Sequence, residues 1–443
     1  MFARNSLFIA GAAVVAALTA LAPVASAAGD PHAVTPQVQS LRAQVHSGTL
    51  LKSHGLMKAC DACQAQIVTT GSGSKTPLST PAPAGYGADE LAAAYHLPAA
   101  ATGAKGTIAI IDAGAYPTLE SDVNAYRAQY GLPACTSASG CFKVAGFDGG
   151  APQTPSTDPD LQIGEEQVGV ETALDMDMAS AACPSCNLVE LQLPILDAYY
   201  GDQAHLDAAM ADFGTAVNTA AKFGASSVSM SYQYPSDSVV EFGQAGRDLF
   251  HPGVAVLASS GDGGYEGDQH GGWPSNLPWV VSVGGTSLFQ TADGYVDNVW
   301  SGAGSGCETD LPGAIGAPAS VNAVCGGHRA SSDVSAVADP ATGVAVYDTY
   351  APFSGQPLNW ITVGGTSASS PFVAGLYARG GHLSQVIGPN TMYNAPAGAF
   401  TDVTFGQNAP VRSCKPAEIA LCNAGKGWDG PTGVGVPNGL AGF

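Results

Sequence analysis

Thr107-Ile108-Ala109-Ile110-Ile111-Asp112-Ala113 is a continuous apolar run broken by a single acid. A strand that is apolar on both alternating faces has to be covered from above and below, as in a parallel sheet layered with helices. Similar runs follow at Asn187–Leu193, Ser226–Met230, Val254–Ala258 and Val280–Val283. Helix-like stretches lie among them at Leu119–Tyr130, Glu165–Ser180, Gln203–Phe223 and Val239–Phe250, and a short helix at Tyr86–Tyr95, with Asp89 near its start, opens the region. The alternation predicts an α/β domain with a mostly parallel central sheet flanked by helices on both faces. Reactive groups in such sheets collect at the carboxyl ends of the strands. Beyond Gly294 the chain reads as loop-rich, and no internal repeat is visible.

The flanks and the composition bound the rest. Arg4, an apolar run from Leu7 to Leu21 and Ala25-Ser26-Ala27 have the form of a secretory signal peptide over residues 1–27. The expectation is an exported, soluble protein, extracellular or periplasmic in a double-membrane bacterium, with no membrane partner once the signal is removed. Residues 28–84 are polar, thickening in Ser, Gly and Pro between Gly71 and Pro83, and read as a short N-terminal pro-segment or linker. The folded domain is expected over residues 85–443. Of 443 residues only 12% are charged, and the net charge of −21 argues against nucleic acid or an anionic membrane as partner. A surface so poor in ion pairs loses little when carboxylates protonate, which suits an acidic medium. The ten cysteines fall in neighbouring pairs, 60/63, 135/141, 183/186, 307/325 and 414/422, as expected of five short-loop disulfides in an exported chain. Spacing alone does not fix that connectivity, and two C-x-x-C pairs keep a zinc site as the rival reading.

Three places carry candidate chemistry. Val363-Gly364-Gly365-Thr366-Ser367-Ala368-Ser369-Ser370-Pro371 is a glycine turn delivering Ser367 to a helix start, with Pro371 expected in the first turn. Taken alone Ser367 is an N-cap serine; with a base nearby it is a nucleophile beside free backbone N–H groups. Glu171 and Asp175 stand at i and i+4 of one helix, so their carboxylates share a face and can split their pKa values. Ser260-Gly261-Asp262-Gly263 ends an apolar strand in a turn that sets Asp262 at the strand's carboxyl end. None of the nine histidines sits in the helix-start motif that a Ser-His-Asp triad requires, so Asp112, placed as that triad's aspartate would be, is left without its imidazole.

Glu171-x-x-x-Asp175, Ser260-Gly261-Asp262 and Gly365-Thr366-Ser367-x-x-x-Pro371, in this order, resemble the sedolisin family of serine-carboxyl peptidases. Ser229-Met230-Ser231-Tyr232 and Trp273-Pro274-Ser275 support the resemblance, which covers about residues 84–443. It implies a subtilisin-like three-layer fold and a serine-type endopeptidase acting in acid on protein or peptide substrates, as a monomer. It also implies roles: Ser367 as nucleophile, Glu171 as base, Asp175 as its orienter, and a protonated Asp262 in the oxyanion hole. Tripeptidyl-peptidase activity, or an inactive relative that binds without cleaving, are the alternatives. Asp402, Val403, Gly425, Gly427 and Asp429 resemble the family's calcium site, implying one structural Ca2+ held by two carboxylates and three carbonyls. The chain departs from the family in two respects: fewer than 60 residues separate Ala27 from Tyr86, too few for the usual N-terminal activation domain, and Ser231-Tyr232-Gln233 stands at a turn where relatives often have glycine.

Overall fold

In the computed structural model the apolar runs lie side by side as expected. It describes residues 34–443 apart from 61–62, 100–104, 196–202, 235–242, 268–271, 351–356 and 410–413. The proposed signal peptide therefore lies outside the described residues. Seven strands are parallel or run along the path of one eight-stranded sheet: β3 Thr107–Ala113, β4 Phe142–Gly146, β5 Asn187–Leu193, β6 Ser227–Met230, β7 Ala255–Ser259, β8 Val281–Thr291 and β12 Val334–Val337. Their order is β12-β8-β7-β6-β3-β5-β4, every neighbour pair parallel, and β9 Gly294–Val299 turns back antiparallel on β8. β3 is central because Ile108, Ala109, Ile110 and Ile111 are fully buried.

Two helices carry the reactive groups. Helix α4, Pro159–Ala182, starts on an Asp158 cap that accepts from the Asp160 N–H, with Pro159 at its first position. From Val168 to Ala182 it is buried on every side, because the sheet lies under it and a second helix lies beside it. That second helix, α8, is Thr366–Gly380. Gly375 lets the two approach closely, since a Cβ there would stand 2.5 Å from Ala182 Cβ. Ser227, Ser229 and Ser369 tie α8 to the sheet through Ala374 O (2.7 Å), Ser370 Oγ (2.9 Å) and Gly284 O (2.7 Å). The remaining helices, α1 Pro36–His46, α2 Ala88–Ala94, α3 Leu119–Gln129, α5 Gln203–Lys222, α6 Gln244–Asp248, α7 Ala319–Val324 and the single turn α9 Asn390–Tyr393, surround this framework.

Several expectations are corrected. Only Gln244–Asp248 of the helix expected over Val239–Phe250 is helical, and 239–242 lie outside the described residues. Pro371 is the sixth residue of α8, past the first turn, so the Ser367 carbonyl lacks its i+4 donor. The region after Gly294 carries β10 Gly306–Pro312, β11 His328–Ser331, β13 Val344–Asp348 and β14 Asn359–Gly364. All five cysteine pairs form disulfides in the local pattern, which leaves no free cysteine for zinc among the described residues.

The larger difference lies before residue 85. The stretch read as a linker is packed into the core. β1 Gly55–Lys58 and β2 Gln66–Thr69 form an antiparallel hairpin, and β2 continues into a second sheet of order β1-β2-β14-β13. Val38, Val45, Ile67, Val68 and Ala82 have no exposed surface. Their apolar side chains are spaced among so many polar residues that composition hides them. Arg42 and His46 of α1 both meet Glu90 of α2, at 2.8 and 3.0 Å.

Burial pushes Glu90 up, but His46 and Arg42 outweigh it and hold the carboxyl below its ordinary value of 4.5. A depressed pKa contributes stability above that ordinary value, lost as pH falls through the folded one. Glu90→Gln is expected to lower the melting temperature at pH 6 by roughly 1–3 °C, the effect of about 1–2 kcal/mol in a chain this size. The difference should close below pH 4; a pH-independent gap would mean the carboxylate's charge is not what counts.

Candidate active site

Ser367 is the second residue of α8. Gly365 before it has φ 112°, a conformation that L side chains rarely adopt. The turn lifts the chain out of β14 and into the helix, and Ser367 comes to rest fully buried against α4. Glu171 and Asp175, one turn apart on α4, are also without exposed surface. The Ser367 hydroxyl bears on Glu171, slightly off hydrogen-bond geometry, so that Ser367 Oγ and Glu171 Oε1 are both buried without a partner. Catalytic hydrogen bonds are often this loose before substrate binds. Asp175 lies close enough to Glu171 to share a proton with it, and both its oxygens accept from Ser231 Oγ at 2.9 Å.

Asp262 follows β7 and approaches from the sheet. Its Oδ1 accepts from the Thr366 N–H (2.8 Å) and Thr366 Oγ1 (2.9 Å), and its Oδ2 from Gln66 Nε2 (2.9 Å). These bonds fix the carboxyl beside the N-terminus of α8. Burial nevertheless pushes Asp262 up to about 6. Glu171 and Asp175 are raised too, first by burial and next by the nearby Asp112. Besides Asp175, the groups acting most strongly on Glu171 are Asp112, Ser367, the Ala65 N–H and Asp262, none of them a histidine. The structure thus brings 171, 175, 262 and 367 around one point. Chemically, such a point offers a hydroxyl, a carboxyl able to take its proton, and a second carboxyl that can donate when neutral.

Two features escape a reading by motif. Asp112, set aside for lack of a histidine, is fully buried at the end of β3 and pushed up to about 7 by burial. Its position at a strand's carboxyl end was the available signal. The other is the N-terminal segment: the Ala65 N–H donates to Glu171 Oε2 at 2.8 Å, across 106 residues of sequence. No local pattern announces that contact.

The proposed metal ligands also converge. The Gly427 N–H donates to Asp402 Oδ2 (2.9 Å), and Asp429 accepts from the Gly425 N–H (3.0 Å) and from Thr432 (3.0 and 2.8 Å). Val403 is buried beside them. Asp429 is raised to about 6, mainly by burial, with Asp402 adding repulsion. Two carboxyl groups set this close together fit an oxygen-seeking ion. Among the described residues, however, no three His, Cys, Asp or Glu side chains form a metal-binding group.

No family model matches the sequence. Kumamolisin from Bacillus sp. (strain MN-32) is 31% identical over 392 residues, covering 81% of this chain and 63% of the relative. Sedolisin from Pseudomonas sp. (strain 101) is 32% identical over 207 residues, covering 41% of this chain and 33% of that protein. Over most of its length the chain is similar to the sedolisin family. It spans less than two thirds of the length of these relatives. The fold agrees: Pseudomonas sedolisin, a serine-carboxyl proteinase solved with pseudo-iodotyrostatin, superposes with a TM-score of 0.59 at 23% identity. That match covers 80% of this chain and 95% of the other. A third relative, tripeptidyl-peptidase sed5 of Aspergillus fumigatus (strain ATCC MYA-4609 / CBS 101355 / FGSC A1100 / Af293), is 29% identical over 227 residues, 42% of this chain and 37% of its own length.

The raised acids set the sign of the pH dependence. Asp112, Asp262 and Asp297, at about 7, 6 and 6, bind protons in the folded chain that the unfolded chain has already released near pH 4. Stability therefore falls as pH rises from about 4 through 7. The melting temperature is expected to be higher at pH 4 than at pH 7, by several degrees. The reverse order would mean that these carboxyls are ionised in the folded protein at ordinary values.

Proposed function

We propose that this protein is a secreted serine-carboxyl endopeptidase that works in acid. The observation that supports it best is the burial of Ser367 against Glu171, with Asp175 behind the glutamate and Asp262 at the start of the serine's helix. In this reading Ser367 attacks the substrate carbonyl as Glu171 takes its proton, while Asp175, held by Ser231, orients Glu171 and tunes its proton affinity. Neutral Asp262 donates to the developing oxyanion together with backbone N–H groups of the turn. Glu171 then protonates the leaving amine, and a water activated by the same carboxyl hydrolyses the acyl-enzyme. Both carboxyls must hold or accept a proton at working pH, which is why the reaction belongs to acid.

The substrate is proposed to be protein or peptide, and the enzyme to act as a monomer. A structural Ca2+ is proposed at Asp402 and Asp429, with the carbonyls of Val403, Gly425 and Gly427 completing its oxygen shell. When bound it would offset the repulsion between the two carboxylates and pin the tail loops together. The export signal at residues 1–27 supports an extracellular or periplasmic location.

A peptide-library digest read by mass spectrometry tests the activity. Internal cuts are expected, with the rate falling above about pH 6 as Asp262 ionises. Ser367→Ala should abolish them with an unchanged melting curve. Products limited to N-terminal tripeptides would establish the exopeptidase reading instead, and no products at any pH would favour a binding protein. For the metal, a calcium chelator should lower the melting temperature of the wild type and leave Asp429→Ala unaffected. Equal curves for the wild type with and without chelator would remove the ion.

A further inference from the structure

The turn that carries Asp262 has one more side chain against it. Just beyond β6, Tyr232 and Tyr234 both make antiparallel bridges, so the stretch Ser231–Tyr234 is extended. Ser231 and Gln233, two residues apart, then face the same way. Ser231 uses that position to hold Asp175. Gln233 reaches across to the end of β7, where its carboxamide covers Gly261, the residue before Asp262. A Cβ on Gly261 would stand 2.3 Å from Gln233 Oε1 and 2.8 Å from Nε2. Gly261 has φ 101°, which disfavours a side chain there in any case, so the place beside the turn belongs to Gln233.

Gln233 is 6% exposed, and its Nε2 has no hydrogen-bond partner among the described residues. The hydroxyl of Ser260, one residue before Gly261, is buried and unpartnered in the same way. A buried amide N–H left unpaired is costly, and a chain that keeps one beside its reactive groups has a use for it. The acids of the site do not take it up: Asp175 is bonded to Ser231, and Asp262 to Thr366 and Gln66. The geometry of attack supplies the missing acceptor. A substrate carbonyl must set its carbon at Ser367 Oγ and its oxygen towards Asp262. The backbone acceptor at the end of β6 is the Ser231 carbonyl, which takes the Gln64 N–H at 3.2 Å. A residue giving its N–H to Ser231 and its carbonyl to Ser367 lies between that strand end and the Gly261–Asp262 turn. Its side chain enters the space lined by the Gln233 carboxamide.

We propose that Gln233 selects the residue on the acyl side of the cleaved bond, favouring side chains that end in a carbonyl oxygen; this rests on the serine-carboxyl reading above. Glutamine has such an oxygen, and so does glutamic acid once acid has removed its charge. The Gln233 N–H donates to that oxygen, which completes the buried donor. An apolar side chain of the same length fills the space and leaves the N–H unpaired, so it is discriminated against. The carboxamide also takes up room beside Gly261, which disfavours large aromatic rings at this position. Gln233 therefore touches the substrate while the proton transfers stay with Glu171 and Asp262.

Peptides that differ only by glutamine, methionine or phenylalanine at that residue test the assignment, because methionine matches glutamine in length and has no carbonyl. In acid the full chain is expected to cut the glutamine peptide roughly tenfold faster than the methionine peptide by kcat/KM, the effect of one satisfied buried donor. Gln233→Met should bring the two rates within about twofold of each other. Gln233→Gly should do the same and also raise cleavage after phenylalanine, and it carries the test if Gln233→Met does not fold. Equal rates on the two peptides in the wild type overturn the assignment and leave the serine-carboxyl reading standing. So does a glutamine preference that survives in both variants. Cleavage that persists in Ser367→Ala, or no cleavage of any of the peptides, overturns the serine-carboxyl reading and the role of Gln233 with it.

Discussion

Carboxyl groups buried together, with no arginine or lysine paired to them among the described residues, are the constraint on which the rest of this structure depends. Glu171, Asp175, Asp112 and Asp262 are all removed from water, and ionising them together would be prohibitively costly. Elsewhere the same chain shows how it buries a carboxylate for stability: Asp333 is clasped by the buried Arg329 at 2.7 and 2.8 Å and by Tyr393 at 2.6 Å. Among the described residues no arginine or lysine does this for Glu171 or Asp175. What they have instead is each other, the Ser231 hydroxyl on Asp175 and the Ala65 N–H on Glu171, and burial still raises both above their ordinary values, towards the protonated form that acid favours. Sparse surface charge points the same way, since few ion pairs are available to be lost as pH falls.

The scaffold serves that cluster. A helix buried on all sides can present two acids inward only if another helix closes over them, and the small residues Gly375 and Ala182 set how tightly it closes. The strands β6 and β14 then become the walls of a slot, and extended backbone is what pairs with strand walls. The occupant of that slot in this structure is the chain's own segment Cys63–Gln66. Because α1 and the β1–β2 hairpin are part of the core, the segment is held from both sides rather than resting on the surface. A short N-terminal region can in this way occupy a cleft without forming a domain of its own.

How much of this could be read in advance depended on the range of the contacts. The parallel sheet was legible because β3, β5, β6 and β7 are apolar on both faces, a signal contained within each strand. Glu171 and Asp175 were legible as a pair because four residues make one helical turn, and Ser367 and Asp262 because glycine turns mark them. Asp112 stood at a strand's carboxyl end, yet its neighbours come from α4, so its place beside Glu171 needed the fold. Residues 28–84 misled because polar composition suggested a linker, whereas burial is decided by a few apolar positions such as Val38, Val45 and Ile67 meeting distant partners. The contacts of Ala65 with Glu171 and of Gln66 with Asp262 span 106 and 196 residues, beyond any periodicity.

The protonation state of Asp262 bears most directly on all of this. Infrared difference spectra of the folded protein against Asp262→Asn, recorded across an acid titration, isolate that one carboxyl. A protonated-carboxyl band that persists to about pH 6 is expected. A band lost near pH 4, with the exposed aspartates, would contradict the neutral buried donor on which the site's chemistry rests.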